Sequence, residues 1–176
     1  MKTMFGRLAL CLVALLAMGA AMADPNSQTF NVTAQVAQGC VILVKTHMTF
    51  GLLNVTSNTA AESQATFAVT CTNGSGSGAI ALTFGSANGN RAGDVSAFKM
   101  VKGAGTTAAE RLVYTLSKAD KTMIAIDKAT PFTELVADGS AKSLTINGKI
   151  AAAAKKGVMT GTYTDTVTMT ATYPAL

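Results

Sequence analysis

The sequence predicts an all-β protein, an antiparallel sandwich of immunoglobulin-like type. Three observations carry that reading. Apolar and polar residues alternate with period two along almost every segment after the leader; the segments are short and divided by Gly, Asn and Ser; and one cysteine pair, Cys40 and Cys71, stands at the ends of two of them. Helical periodicity is nearly absent.

Residues 1–23 read as a secretory signal peptide. Lys2 and Arg7 supply a basic start, Leu8 to Leu16 an apolar stretch, and Ala21-Met22-Ala23 a small-x-small cleavage site before Asp24. Residues 24–176 then suit one domain with a single core. Beyond the leader no apolar run reaches the roughly 18 residues that span a bilayer, so the mature chain is expected to be exported and not membrane-spanning. Cys11 leaves with the leader, and Leu10 before it is too large for a lipidation site. The remaining pair, Cys40 and Cys71, reads as a disulfide formed in an oxidising compartment.

The first alternating run is Phe30 to Val36, with Phe30, Val32, Ala34 and Val36 on one face. A strand over Val41 to Val44 follows Cys40, and Met48-Thr49-Phe50-Gly51 reads as the close of a second short one. Ala65 to Cys71 places its odd positions inward and is expected to pair with the region around Cys40. The tract Asn73 to Gly78 suggests a hairpin into Ile80 to Phe84. From Gly85 to Thr107 only Phe98 to Val101 gives a strand signal. Arg111 to Ser117, with Leu112, Tyr114 and Leu116 on one face, Met123 to Ile126, and Ser143 to Ile150 complete the middle of the chain. Ala151 to Lys156 favours helix by composition, but six residues stopped by Gly157 cannot offset nucleation, so at most one turn is expected. Thr162 to Tyr173 is the clearest strand: threonine fills every even position, leaving Tyr163, Val167, Met169, Ala171 and Tyr173 to share the inward face.

Sites of chemistry are sparse. The single histidine, His47, has no free cysteine or second histidine to share a metal and reads as a surface residue. Asp165 interrupts the inward face of the last strand. With no second acid placed near it by any motif, it reads as a turn or strand-entry residue and not as a catalytic carboxylate. Gly74 to Gly78 lacks the Lys-Ser or Lys-Thr of a phosphate loop and leads into a strand. No nucleophile elbow and no Ser/His/Asp or Cys/His set can be assembled. No enzymatic activity, catalytic residue, cofactor or metal is expected. The formal charge of +5 includes Lys2 and Arg7 of the leader, and the other lysines are scattered apart from Lys155-Lys156, so nucleic acid is not an expected partner.

Taken in order, these pieces resemble the spore coat protein U domain family, which includes the subunits of archaic chaperone-usher pili. The resemblance rests on Gly39-Cys40, on Met48-Thr49-Phe50-Gly51, on Phe67-Ala68-Val69-Thr70-Cys71-Thr72 and on Gly161-Thr162-Tyr163-Thr164-Asp165-Thr166-Val167. Leu112 to Leu116 and Asn147-Gly148-Lys149-Ile150 fit more weakly, and Ala151 to Lys156 departs from the family's usual loop. The resemblance implies a sandwich lacking its last strand, with an exposed apolar groove. A periplasmic chaperone fills that groove first. At an outer-membrane usher, a strand from an identical or related subunit then replaces the chaperone. On this reading residues 24–39 are a donor extension, with Phe30, Val32, Ala34 and Val36 as its inserted side chains, and residues 40–176 are the sandwich. Function would be that of a shaft subunit of a fimbrium at the cell surface, serving attachment and biofilm formation. The alternation by itself equally allows Phe30 to Val36 to be an edge strand of a closed sandwich, a secreted glycan-binding or surface-coat domain. Thr162 to Tyr173 is either the edge of the groove, a plain last strand, or both.

Overall fold

The computed structural model describes residues 30–74, 80–89 and 97–172. Residues 1–29, which hold the expected leader and the start of the expected donor extension, and residues 75–79, 90–96 and 173–176 lie outside the described residues. The chain divides into two units, residues 1–35 and 36–176. In the first, the described residues 30–35 are exposed and belong to no strand.

The second unit is all-β. Its strands are β1 (Cys40–Thr46), β2 (Ala61–Cys71), β3 (Ile80–Ser86), β4 (Phe98–Val101), β5 (Arg111–Lys118), β6 (Met123–Ile124), β7 (Thr130–Phe132), β8 (Ala141–Ile150) and β9 (Val167–Thr172). One sheet runs β1-β2-β8-β5-β4, with β6 added to β5, and the other runs β7-β3-β9. Every strand ladder is antiparallel. Among the described residues no helix is long and apolar enough to cross a membrane.

Alternation places the core. In β5 the inward residues Leu112, Tyr114 and Leu116 are buried while Val113 and Thr115 face out, and β8 repeats the pattern with Leu144, Ile146 and Ile150. Ile80, Leu82 and Phe84 of β3 meet them from the other sheet, with Phe132 and Leu135. One continuous core between two sheets results, as a sandwich requires.

Cys40 pairs directly opposite Cys71 in the β1–β2 ladder, and the two form the expected disulfide. The predicted hairpin after β2 is not one: β2 and β3 lie in different sheets. Met48 to Gly51 is not a strand either. Its alternation is met in another way. The Ser63 hydroxyl donates to the Thr49 carbonyl at 2.7 Å and accepts from the Thr49 amide at 3.1 Å, while Met48 and Phe50 lie over Gly148 of β8. A Cβ at Gly148 would overlap the Met48 sulfur and come within 2.9 Å of the Phe50 ring. Gly148→Ala is therefore expected to destabilise the fold by about 1–3 kcal/mol through overpacking, seen as a lower urea midpoint at unchanged m-value. β7, centred on Pro131, had no alternation long enough to find. Ala151 to Lys156 forms a single 3-10 turn, Ala153–Lys155. The last strand is shorter than its threonine pattern: residues 162–166 precede it, and only Thr164 there bridges to Val101 of β4.

Chain order gives the unit two distinct ends. Cys40, the crossing that leaves β2, residues 133–140 and the exit of β9 share the disulfide end. The loop 47–60, the loop 102–110 and residues 151–166 share the opposite, loop end.

Candidate functional site: an open sheet edge

β9 pairs with β3 along one side only; among the described residues its other side has no partner. In that ladder Met169 stands opposite Phe84, Ala171 opposite Leu82 and Val167 opposite Ser86, so these three face the core. Phe84 is 2% exposed, yet Val167 is 37% exposed, and Met169 and Ala171 are only half-buried. The inward face of β9 therefore lacks a cover that its neighbour has. The outward threonines Thr168, Thr170 and Thr172 are exposed, as water requires. Tyr163 does not lie on the strand. It is half-buried ahead of it, with its hydroxyl shared between the carbonyls of Ala109 and Met159 at 2.8 Å each. On the edge strand of the facing sheet, Ile42 is half-buried and Val44 exposed, although their partner Val69 is fully buried and Phe67 is partly so.

Phe30, Val32 and Val36 are 85%, 81% and 82% exposed, and Ala34 is exposed with them. None enters a ladder of the described strands. The structure thus holds an alternating apolar segment without a sheet, and a sheet edge without a covering strand.

A polar cluster fixes the entry to β9. Asp165 Oδ2 accepts from the Tyr114 and Ser86 hydroxyls, both at 2.7 Å. Oδ1 accepts from the Asn88 side-chain amide at 3.0 Å and from the Thr166 and Asn88 backbone amides at 2.9 and 3.3 Å. Tyr114 belongs to one sheet and Ser86 to the other, so a single carboxylate two residues before the open strand ties both sheets to its entry. Burial, then the hydrogen bond and charge of Asp165, push the Tyr114 phenol well above its usual range. It stays a donor at any physiological pH. The parity break at Asp165 was the signal in the sequence; its partners, more than 50 residues away, were not readable there.

A second feature had no signal. Lys155 is buried, its Nζ donating to the carbonyls of Asn54 at 3.0 Å and Thr59 at 2.9 Å, which pins the loop 54–59 to the turn after β8. His47 is exposed, and among the described residues no group of three His, Cys, Asp or Glu side chains is placed to hold a metal ion.

Among solved structures the chain is similar to the P pilus rod subunit PapA, with 17% identity, 84% of this chain and 100% of that one covered, and a TM-score of 0.52. A chain from a chaperone-usher pilus structure concerned with rod uncoiling gives 18% identity, 88% and 100% coverage and a TM-score of 0.49. A chain from a chaperone–tip adhesin complex of CFA/I fimbriae gives 16% identity and a TM-score of 0.49, over 77% of this chain and 42% of that one. At these identities the likeness is one of fold. No curated protein matches the chain. The Spore Coat Protein U domain model matches residues 26–170. With the cysteine pair bonded across the first ladder and the Gly161 to Val167 stretch leading into the open strand, the chain belongs to the Spore Coat Protein U domain family.

Proposed function

We infer that this protein is a structural shaft subunit of an archaic chaperone-usher pilus, exported through the periplasm to the cell surface and joined to its neighbours by strand donation. The observation that carries the reading is the pairing of two deficits: the uncovered inward face of β9 and the exposed alternating side chains of Phe30, Val32, Ala34 and Val36. A strand laid along β9 supplies the missing ladder and caps Met169 and Ala171, the β-augmentation mode of recognition. Burying the four side chains contributes about 5–8 kcal/mol before the cost of ordering the strand. Until then an open edge is an aggregation hazard, which is the physical reason for a periplasmic chaperone to occupy it and for an usher to oversee its release.

The direction of the inserted strand follows from the ends of the sandwich. β9 runs from the loop end to the disulfide end, and the donor leaves its own subunit at Gly39, at the disulfide end. Antiparallel insertion sets the giving subunit against the receiver's loop end and leaves the receiver's own donor free. Parallel insertion would block it. Growth is then head-to-tail and open-ended. Such a fibre serves surface attachment and biofilm formation.

Deleting residues 28–38 is expected to abolish polymerisation while leaving chaperone binding intact. Co-expression with the chaperone and usher, followed by electron microscopy for filaments and co-purification for the complex, checks both halves. Filaments of normal length from the deletion would refute the assignment.

A further inference from the structure

We propose that successive subunits meet through a second contact besides the donated strand, in which Leu52 of the receiving copy seats in the cleft beside the Cys40–Cys71 disulfide of the giving copy. The inference rests on the strand-donation reading and deepens it by naming the surface where the two bodies touch.

The chain between donor and body is very short. Val36 is the last of the four inserted side chains of the donor, and only Ala37, Gln38 and Gly39 separate it from Cys40. Three residues reach roughly 10 Å when fully extended. With Val36 inserted at the loop end of the receiver's groove, the giver's disulfide end cannot stand away from the receiver's loop end. The two surfaces are held against each other by the length of the link.

Both surfaces are built for apolar contact. At the disulfide end a cleft of about 330 Å³ is lined by Gly39, Cys40, Val41, Thr70, Cys71, Thr72 and Gly139. Val41, on its rim, is 71% exposed although it sits in a strand. At the loop end Leu52 is 102% exposed, with no protein atom covering it, and exposed Val55 follows three residues later.

The loop carrying Leu52 is held in place. Gly51 takes a left-handed φ of +66° just before it. Asn54 accepts from the Thr56 amide and hydroxyl, at 2.9 and 2.7 Å, and Lys155 grips the carbonyls of Asn54 and Thr59 from beneath. Lys155 belongs to the segment that continues through Met159 and Tyr163 to the start of β9, so Leu52 is presented on the same end of the molecule as the mouth of the groove. The buried lysine acquires a purpose: it orders a knob.

A photo-crosslinking residue at position 52, in filaments assembled by cells that also make the chaperone and usher, tests this. The expected result is a covalent ladder after boiling in detergent, with the crosslink mapped by mass spectrometry to the peptide containing Gly39 to Val41 or to Gly139 of a neighbouring copy. Adding Val41→Asp should cut that crosslink at least about tenfold while filaments persist, since a charge in the cleft opposes burial of the apolar probe. If the probe at 52 blocks assembly by its size, the same residue at 55 should give the same ladder. Normal filaments whose crosslinks are absent or map elsewhere would overturn this contact and leave strand donation standing. No filaments from the unaltered chain would overturn both.

Discussion

Replacing both Cys40 and Cys71 by alanine is expected to lower the stability of the subunit by about 3–4 kcal/mol. The bond closes a separation of 31 residues, and restricting a loop of that length in the unfolded chain accounts for that magnitude. Alanine introduces no buried hydroxyl in place of Cys71, which is almost fully buried. The effect is large relative to the total, because small domains are stable by only about 5–15 kcal/mol. It also has a local side. Gly39 accepts from and donates to Thr72 next to the bond, and its carbonyl takes the Thr72 amide at 2.9 Å, so the segment entering β1 is fixed where the two thiols meet. Urea unfolding of the double variant, compared with the parent under oxidising and then reducing conditions, checks the value: reduction should lower the parent to nearly the level of the variant and leave the variant unmoved.

Asp165→Ala should cost a similar amount, about 3–4 kcal/mol, for a different reason. Removing the carboxylate strands the Tyr114 and Ser86 hydroxyls and the Asn88 amides, and a hydrogen bond to a charged group contributes about 1.5–3 kcal/mol. Tyr114→Phe loses only one of those bonds and should cost less, which separates the cluster from the ring packing of Tyr114 against Phe98 and Phe50. The cluster also carries a pH signature. The Tyr114 phenol is raised in the folded protein, so its contribution is complete below the ordinary phenol value of about 10 and erodes as pH climbs from there toward the folded value. The slope is about 1.4 kcal/mol per pH unit for one proton. Unfolding measured from pH 9 to pH 11.5 should show little difference near pH 9 and, above about pH 10.5, the parent losing stability faster than Tyr114→Phe by roughly that slope. Equal slopes would mean that the phenol is not buried against Asp165. Because Asp165 lies two residues before β9, its loss should also loosen the entry to that strand and, on the proposed function, slow strand uptake.

Much of the sandwich was legible in the sequence because it is written in period two. β2, β5 and β8 announce their inward faces residue by residue, and the structure buries Val69, Leu112, Leu144 and Ile146 as that pattern requires. The cysteine pairing followed from compartment and count, and its register from the strands beside it. What failed did so where local pattern and tertiary role diverge. Met48 to Phe50 alternates like a strand, but a serine hydroxyl satisfies its middle residue and a glycine beneath receives its side chains. The glycine tract after Cys71 has the composition of a hairpin, yet β2 and β3 belong to different sheets, since composition fixes flexibility and not destination. β7 is three residues with a proline at its centre, below the length at which alternation can be counted. Of the candidate site, the inward parity of Val167, Met169 and Ala171 was readable, while their exposure was not. An uncovered face is a property of what is missing beside it, and no residue on β9 encodes that. Lys155 was unreadable for a related reason: its partners are two backbone carbonyls about 100 residues away, which carry no side-chain signature.

Amide hydrogen exchange of the subunit, alone and in filaments, tests the account most directly. In the lone chain residues 30–36 should exchange at the rate of unstructured peptide. In filaments those residues, together with the free edge of β9 over Val167 to Thr172, should slow by at least about a thousandfold, as amides in a sheet do. Protection of residues 30–36 in a lone monomer would show the segment folded into its own sheet and would contradict the account.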